Sequence, residues 1–234
     1  MYLYGYHPCH LALLNPLRKV ERVFVTQKNT LEKLPSLGKA KVEVIDRKNL
    51  ESKLPPGAVH QGIALLVQPL ENQPLDFLDD CKDPNQHVVV LDHVSDPHNI
   101  GAILRSAAVF GAKALIMTER HAPKESGVLA KSASGALEVV PLCVVKNLAH
   151  ALKELKDLGF WCVGFAESGT QTLAEVNLKG KIALILGAEG DGMRRLTQES
   201  CDFTVRLPSA GSFSTLNVSN AAAVALYEVH KQHV

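Results

Sequence analysis

No two cysteines in this sequence form a CxxC pair, and the five present, Cys9, Cys81, Cys143, Cys162 and Cys201, are odd in number. A disulfide framework is therefore not expected, and a reducing cytoplasm is the compartment that fits. Cys143 and Cys162 stand inside the apolar runs PLCVV and FWCVGF, so both are expected in a core. Long apolar runs are also missing. LALLNPL, near the start, is too short to span a bilayer, lies among Tyr, His and Arg residues, and lacks a small-residue cleavage site, so neither a membrane helix nor a targeting segment is read there. The 10 histidines form no HExxH or similar spacing, and no metal is expected. There is no GxSxG nucleophile elbow, no P-loop lysine, no internal repeat and no low-complexity tract.

What remains is ordinary globular material: 234 residues, 46% hydrophobic and 21% charged, enough for one large domain or two modest ones. The net charge of +1 is unevenly placed. Residues 1–70 hold 10 Lys and Arg against 5 Asp and Glu, a net of +5, and the rest of the chain carries −4. Such a front end suits a polyanion partner or, equally, a solvated surface. Between the halves, PLENQPLDFLDDCKDPNQ combines proline with clustered acidic charge, both of which oppose packing. This predicts a domain over 1–70, a linker over 71–86 and a second domain over 87–234.

The first domain reads as a small α/β unit. Strands are expected at RVFVT (22–26), KVEVI (41–45) and within HQGIALLVQP, with helices from about Pro8, over TLEKLPSLG until Pro35 breaks it, and near 47–53. In the second, continuous apolar runs at 88–92, 114–117, 139–145, 161–166, 182–187 and 203–208 alternate with helical segments, the pattern of a doubly wound parallel sheet. Asn147 and Gly159 bound one helix. Lys131 is expected at the surface near the end of another.

Three stretches call for more than a structural reading. In DPHNIGAILRSAA, Asp96 can cap a helix that starts at Pro97 and buries Ile100, Ile103, Leu104 and Ala107. Arg105 lies off that stripe. Gly101, four residues earlier, costs about 1 kcal/mol relative to alanine in a helix, which close approach of a backbone or a ligand would explain. In LGAEGDGM (186–193) the glycines suggest a dinucleotide loop, but their spacing is wrong, no acidic residue closes the next strand, and Glu189 is unfavourable beside a phosphate. In PSAGSFSTLNVSNAAA (208–223), small and hydroxyl residues lead into a helix for which Ser214 or Thr215 would be a good cap, while Asn217, Ser219 and Asn220 occupy positions where apolar residues are expected.

Taken in order, NIGAILRSA, LILGAEGDGM and LPSAGSFSTLNVSNAAA resemble the three motifs of the SpoU family, RNA ribose 2′-O-methyltransferases of the SPOUT class. YGYHPCHLAL and GAVHQGIALLV resemble the N-terminal domain of the branch that methylates guanosine in the peptidyl-transferase loop of 23S rRNA; the shorter tRNA-modifying type lacks such a domain. The resemblance implies an α/β fold: a C-terminal trefoil-knotted domain with a parallel sheet, preceded by a small L30e-like RNA-binding domain. It implies S-adenosylmethionine as cofactor, RNA rather than DNA as partner, and a homodimer packed through the knotted domains. By matching position, Gly187, Leu207 and Leu216 should contact the cofactor, Arg105 should be catalytic, and Asn99, Glu189, Asn217 and Thr215 should shape the pocket. Glu189 is expected to orient Arg105 by a bidentate pair, and Gly101 to clear space for the ribose. Because arginine gives up its proton only above about pH 12, a clamp on phosphate and developing alkoxide suits Arg105 better than a base. Three positions depart from the pattern: Thr215 stands where serine is usual, Asn220 where valine is, and His93 where glycine is common.

Overall fold

A computed structural model describes residues 1–80, 82–211 and 215–234. The first unit comprises β1 (Tyr2–Tyr4), α1 (Tyr6–Leu14), β2 (Val20–Val25), β3 (Lys41–Val44), α2 (Arg47–Glu51) and β4 (Ile63–Val67). The sheet order is β1-β4-β2-β3, with β2 and β3 parallel and the other pairs antiparallel. Strand β1 escapes sequence reading because three residues carry no periodicity. The expected helix before Pro35 is only a 3-10 segment, Lys28–Lys33, and Leu34 is already extended, as a residue preceding proline prefers.

The second unit comprises β5 (His87–Asp92), α3 (Pro97–Phe110), β6 (Leu115–Thr118), α4 (Gly127–Ala133), β7 (Leu142–Val145), α5 (Leu148–Asp157), β8 (Trp161–Phe165), β9 (Gln171–Thr172), β10 (Ile182–Gly187), α6 (Arg195–Glu199), β11 (Phe203–Arg206) and α7 (Val218–His233). Its seven strands run parallel in the order β7-β6-β5-β10-β8-β11-β9. Alternate residues serve two cores. Val89 and Leu91 with Ile182, Leu184 and Leu186 face α3, α4 and α7, whereas Val88 and Val90 with Ala183 and Ile185 face α5. Burial on both faces explains why these strands read as unbroken apolar runs. The strand expected over 139–145 begins only at Leu142, because Ala136–Glu138 forms a 3-10 turn and Pro141 precedes the pairing.

The 71–86 segment is not loose. Leu75 and Leu78 are buried against the α5 face, and Gln73 donates its N–H to the Leu142 carbonyl at 2.8 Å. The two units share one apolar core, in which Leu3, Cys9 and Val23 join Leu129, Ala133 and Leu137. At its edge the fully buried Arg18 guanidinium meets Glu138 at 2.6 Å and Glu125 at 2.7 Å, and donates to the Gln68 carbonyl at 2.9 Å.

Candidate active site

The sheet changes direction of growth between β5 and β10, whose ends lie in register, Asp92 opposite Gly187. In open parallel sheets such a switch point opens a crevice beyond the strand ends. The three unusual stretches all lead there.

After β5 the chain enters α3, where the Asp96 carboxylate accepts from the His98 N–H at 3.0 Å and sets the helix start. Asn99 is thereby held, half-buried, in the first turn. Ile100, Ile103, Leu104 and Ala107 are fully buried as expected. Gly101 follows the first of its two expected readings, close approach of a backbone, rather than the second, room for a ligand. A Cβ there would lie 2.4 Å from the Ser132 Cβ and 2.8 Å from the Ala133 nitrogen, so the glycine admits the backbone of α4 rather than a ribose. After β10 the loop folds straight back: Ala188 and Gly192 exchange backbone hydrogen bonds of 3.1 and 2.9 Å, and any Cβ on Gly187 would fall 2.0 Å from the Gly192 carbonyl carbon. The glycines build this miniature hairpin, and Glu189 rides exposed on it.

The third stretch joins the other two. Asn217 caps α7, its side-chain oxygen accepting from the Ser219 N–H at 2.9 Å and the Ser219 hydroxyl at 2.6 Å. Its amide nitrogen then donates to Asn99 Oδ1 at 3.1 Å and to Glu189 Oε2 at 3.3 Å. This corrects the cap expected at Thr215, which is exposed and takes no part in the cluster; Ser214, the other candidate, lies outside the described residues. The expected Arg105–Glu189 pair is not formed, since Glu189 is engaged by Asn217. Arg105 follows Asn99 by six positions, about 120° around the helix. It is exposed, and among the described residues it makes no ion pair or hydrogen bond. Leu207 is half-buried beyond β11 and Leu216 is exposed beside Asn217.

Two contacts had no sequence signal, although His93 itself stands out as a departure from the motif. The buried Asp92 carboxylate accepts from Arg194, from its Nε and Nη2 at 2.8 Å and its backbone N–H at 2.9 Å, tying down the end of the Glu189 loop across 102 residues. The His93 ring stacks on His121, with centroids 3.9 Å apart. A cavity of about 540 Å³ lies elsewhere, between the first unit and the 71–86 segment, and is lined by Leu17, Phe77, Leu137 and Leu142. It holds none of the polar cluster.

Fold and site together define a class: a two-unit α/β protein whose parallel sheet carries a polar cluster, drawn from three separated segments, beside a small accessory domain. The chain belongs to the SpoU rRNA methylase family, whose model matches residues 86–227, while residues 2–73 match the substrate-binding domain of RNA 2′-O ribose methyltransferases. It is 36% identical to the 23S rRNA (guanosine-2′-O-)-methyltransferase RlmB of Vibrio vulnificus, over 100% of this chain and 97% of that protein. With the protein of the same name from Pasteurella multocida the identity is 40%, over 99% and 98%. Among solved structures, the SpoU methyltransferase AviRb of Streptomyces viridochromogenes superimposes with a TM-score of 0.83 at 26% identity, covering 99% of this chain and 89% of that one. The expected fold class, a SPOUT-type parallel α/β domain behind a small N-terminal substrate-binding domain, stands.

Proposed function

We propose that this chain transfers the methyl group of S-adenosylmethionine to a guanosine ribose 2′-OH of 23S rRNA, acting in the cytoplasm as a homodimer and contributing to ribosome maturation. The observation that carries the reading is the Asn217 amide, which draws Asn99 and Glu189 from the other two motifs into one cluster at the sheet switch point.

The residues present fit the cofactor. Exposed Leu216 and half-buried Leu207 offer apolar surface at the rim of the cluster, of the kind an adenine covers, and Gly187 brings main chain rather than a side chain to the strand end. When bound, S-adenosylmethionine supplies a methyl group on a cationic sulfur, already activated towards an oxygen nucleophile. The chain's own residues then have two tasks. Asn99, Glu189 and Asn217 hold the ribose so that its 2′-OH donates to a carboxylate or amide oxygen and turns a lone pair towards the methyl. Arg105 grips the neighbouring phosphate and stabilises the oxygen as its proton passes to the Glu189 carboxylate.

Arg105 shares an exposed face of α3 with Val109, while Val224 and Tyr227 stand exposed on α7, where the Tyr227 ring lies 6.0 Å from that of Phe110. This apolar strip beside an unpaired guanidinium supports the homodimer and a site completed by a second copy's Arg105. The basic first unit, matched by the substrate-binding model, favours rRNA over tRNA. No helix among the described residues is long and apolar enough to cross a membrane.

The test is to incubate the purified protein with methyl-labelled cofactor and 23S rRNA from cells lacking the modification. Label on a guanosine 2′-oxygen is expected. Label on tRNA alone selects the tRNA reading, and cofactor binding without transfer to any RNA defeats both.

A further inference from the structure

His93 leaves the end of β5 with φ 64°, a left-handed conformation that glycine takes freely and a β-carbon opposes. A strained residue at the rim of a pocket is held there by something other than backbone preference. Its ring stacks on His121 at 3.9 Å and an interplanar angle of 26°, and His121 Nδ1 lies 3.1 Å from the Thr118 hydroxyl. Among the described residues, neither nitrogen of His93 nor Nε2 of His121 is hydrogen-bonded.

The surroundings are cationic. Asp92 fixes the Arg194 guanidinium through Nε and Nη2, which leaves Nη1 free, and that same contact neutralises the carboxylate beside His93. Arg120 follows in the turn after β6. Burial, then the charges of Arg194 and His121, hold the His93 imidazole below its ordinary range. Unpaired ring nitrogens beside a pinned guanidinium make a site for an anion. A nucleobase suits it less, because His121 already covers one face of His93.

We propose that the His93–His121 pair, with Nη1 of Arg194, binds a backbone phosphate of the RNA substrate flanking the nucleotide to be methylated. Its location supports this: Asp92 is level with Gly187, and Arg194 ends the loop that carries Glu189. Phosphate contacts of this kind fix the register of an RNA without reading its sequence. The inference rests on the rRNA reading above.

The experiment uses the full-length chain with His93→Gly, a change that relieves the backbone and must fold if the wild type does. The expected result is a KM for rRNA raised about tenfold, with kcat at saturating RNA and the cofactor Kd within about twofold of wild type. His121→Phe, which keeps the stack but removes the N–H groups, should shift KM in the same direction. An unchanged KM in His93→Gly overturns the phosphate site while leaving methyl transfer by the wild type standing. A kcat loss at constant KM overturns it too, by placing His93 in the chemistry. A wild type that methylates no 23S rRNA overturns both this inference and the function it rests on.

Discussion

Arg105 is the one lysine or arginine in the three motif segments, and among the described residues it meets no partner on its own chain, as a guanidinium reserved for a substrate should. Removing one electrostatic stabiliser of a developing anion costs roughly 100-fold or more in rate. Arg105→Ala should therefore lower kcat by about that factor and leave calorimetric binding of S-adenosylmethionine unchanged; Arg105→Lys, which keeps charge but not the planar fork, should fall between. A kcat within about twofold of wild type would remove Arg105 from the site. Sequence reading singled out Arg105, Glu189 and Asn217 because each breaks a local rule of its element, and Asn99 only by matching position in the family resemblance. It assigned Glu189 the wrong partner, since which of two distant loops reaches a carboxylate depends on side-chain geometry that spacing does not encode. His87 had no such signal. Burial first, then His233, Lys113 and His230, press its imidazole down to about 4. Unfolded, it titrates near about 6.5. Below that value the unfolded chain binds a proton that the folded chain refuses. The stabilisation is thus full above about pH 6.5 and is lost as pH falls towards about 4. The urea midpoint should drop between about pH 7 and about pH 5, by an amount worth about 2 kcal/mol, and His87→Leu should flatten that dependence. A slope indifferent to the substitution would assign the acid sensitivity elsewhere.

Helices α3 and α4 illustrate what amphipathic pattern conveys and what it omits. The buried stripe, the Asp96 cap and the Asn147 cap were all legible, because each is a local interaction between residues at most four apart. The crossing of α3 with α4 was not. Gly101 announced itself as a costly glycine, yet only the fold reveals that its face is occupied by Ser132 and Ala133. The consequence is measurable. Gly101→Ala gains about 1 kcal/mol of helix propensity but inserts a methyl 2.8 Å from a backbone nitrogen, where no rotamer change can relieve it. Overpacking of this kind costs about 1–3 kcal/mol. The net expectation is a lower urea midpoint and a shift of α4 away from α3, read by faster amide exchange over 127–133. A midpoint at or above wild type would mean that α4 yields freely and that the glycine reflects something other than packing. The two-residue strand β9 and the 71–86 segment were illegible for a related reason. Their order comes from docking onto a sheet edge and the α5 face, and their own composition argues for a loop.

Across the whole molecule, the uneven charge and the change of composition near residue 70 marked two units, but not that they close over one core. Leu3, Cys9 and Val23 reach across to Leu129, Ala133 and Leu137, and the seam ends at Arg18, fully buried between Glu125 and Glu138. A guanidinium so placed fixes the angle between the first unit and the second, which carries the proposed site, since the pair of carboxylates and the Gln68 carbonyl admit one orientation of its planar fork. Deleting it leaves two carboxylates in the seam without a counter-charge, a loss of about 3–5 kcal/mol. The loss should act on the seam before it acts on the parallel sheet. In Arg18→Ala, amide exchange is expected to rise over residues 1–70 and at 125–138 while β5 and β10 stay protected. The affinity for S-adenosylmethionine should hold and KM for rRNA should rise. Replacing all three charged residues together, Arg18→Met with Glu125→Gln and Glu138→Leu, should recover much of the stability, because a buried ion cluster contributes little beyond an apolar isostere. It should not recover KM to the same degree if orientation is what the cluster supplies. Recovery of both in parallel would reduce Arg18 to a packing element, whereas stability restored with KM still raised would identify the seam as the part of the fold that aims the RNA at Asn99, Glu189 and Asn217.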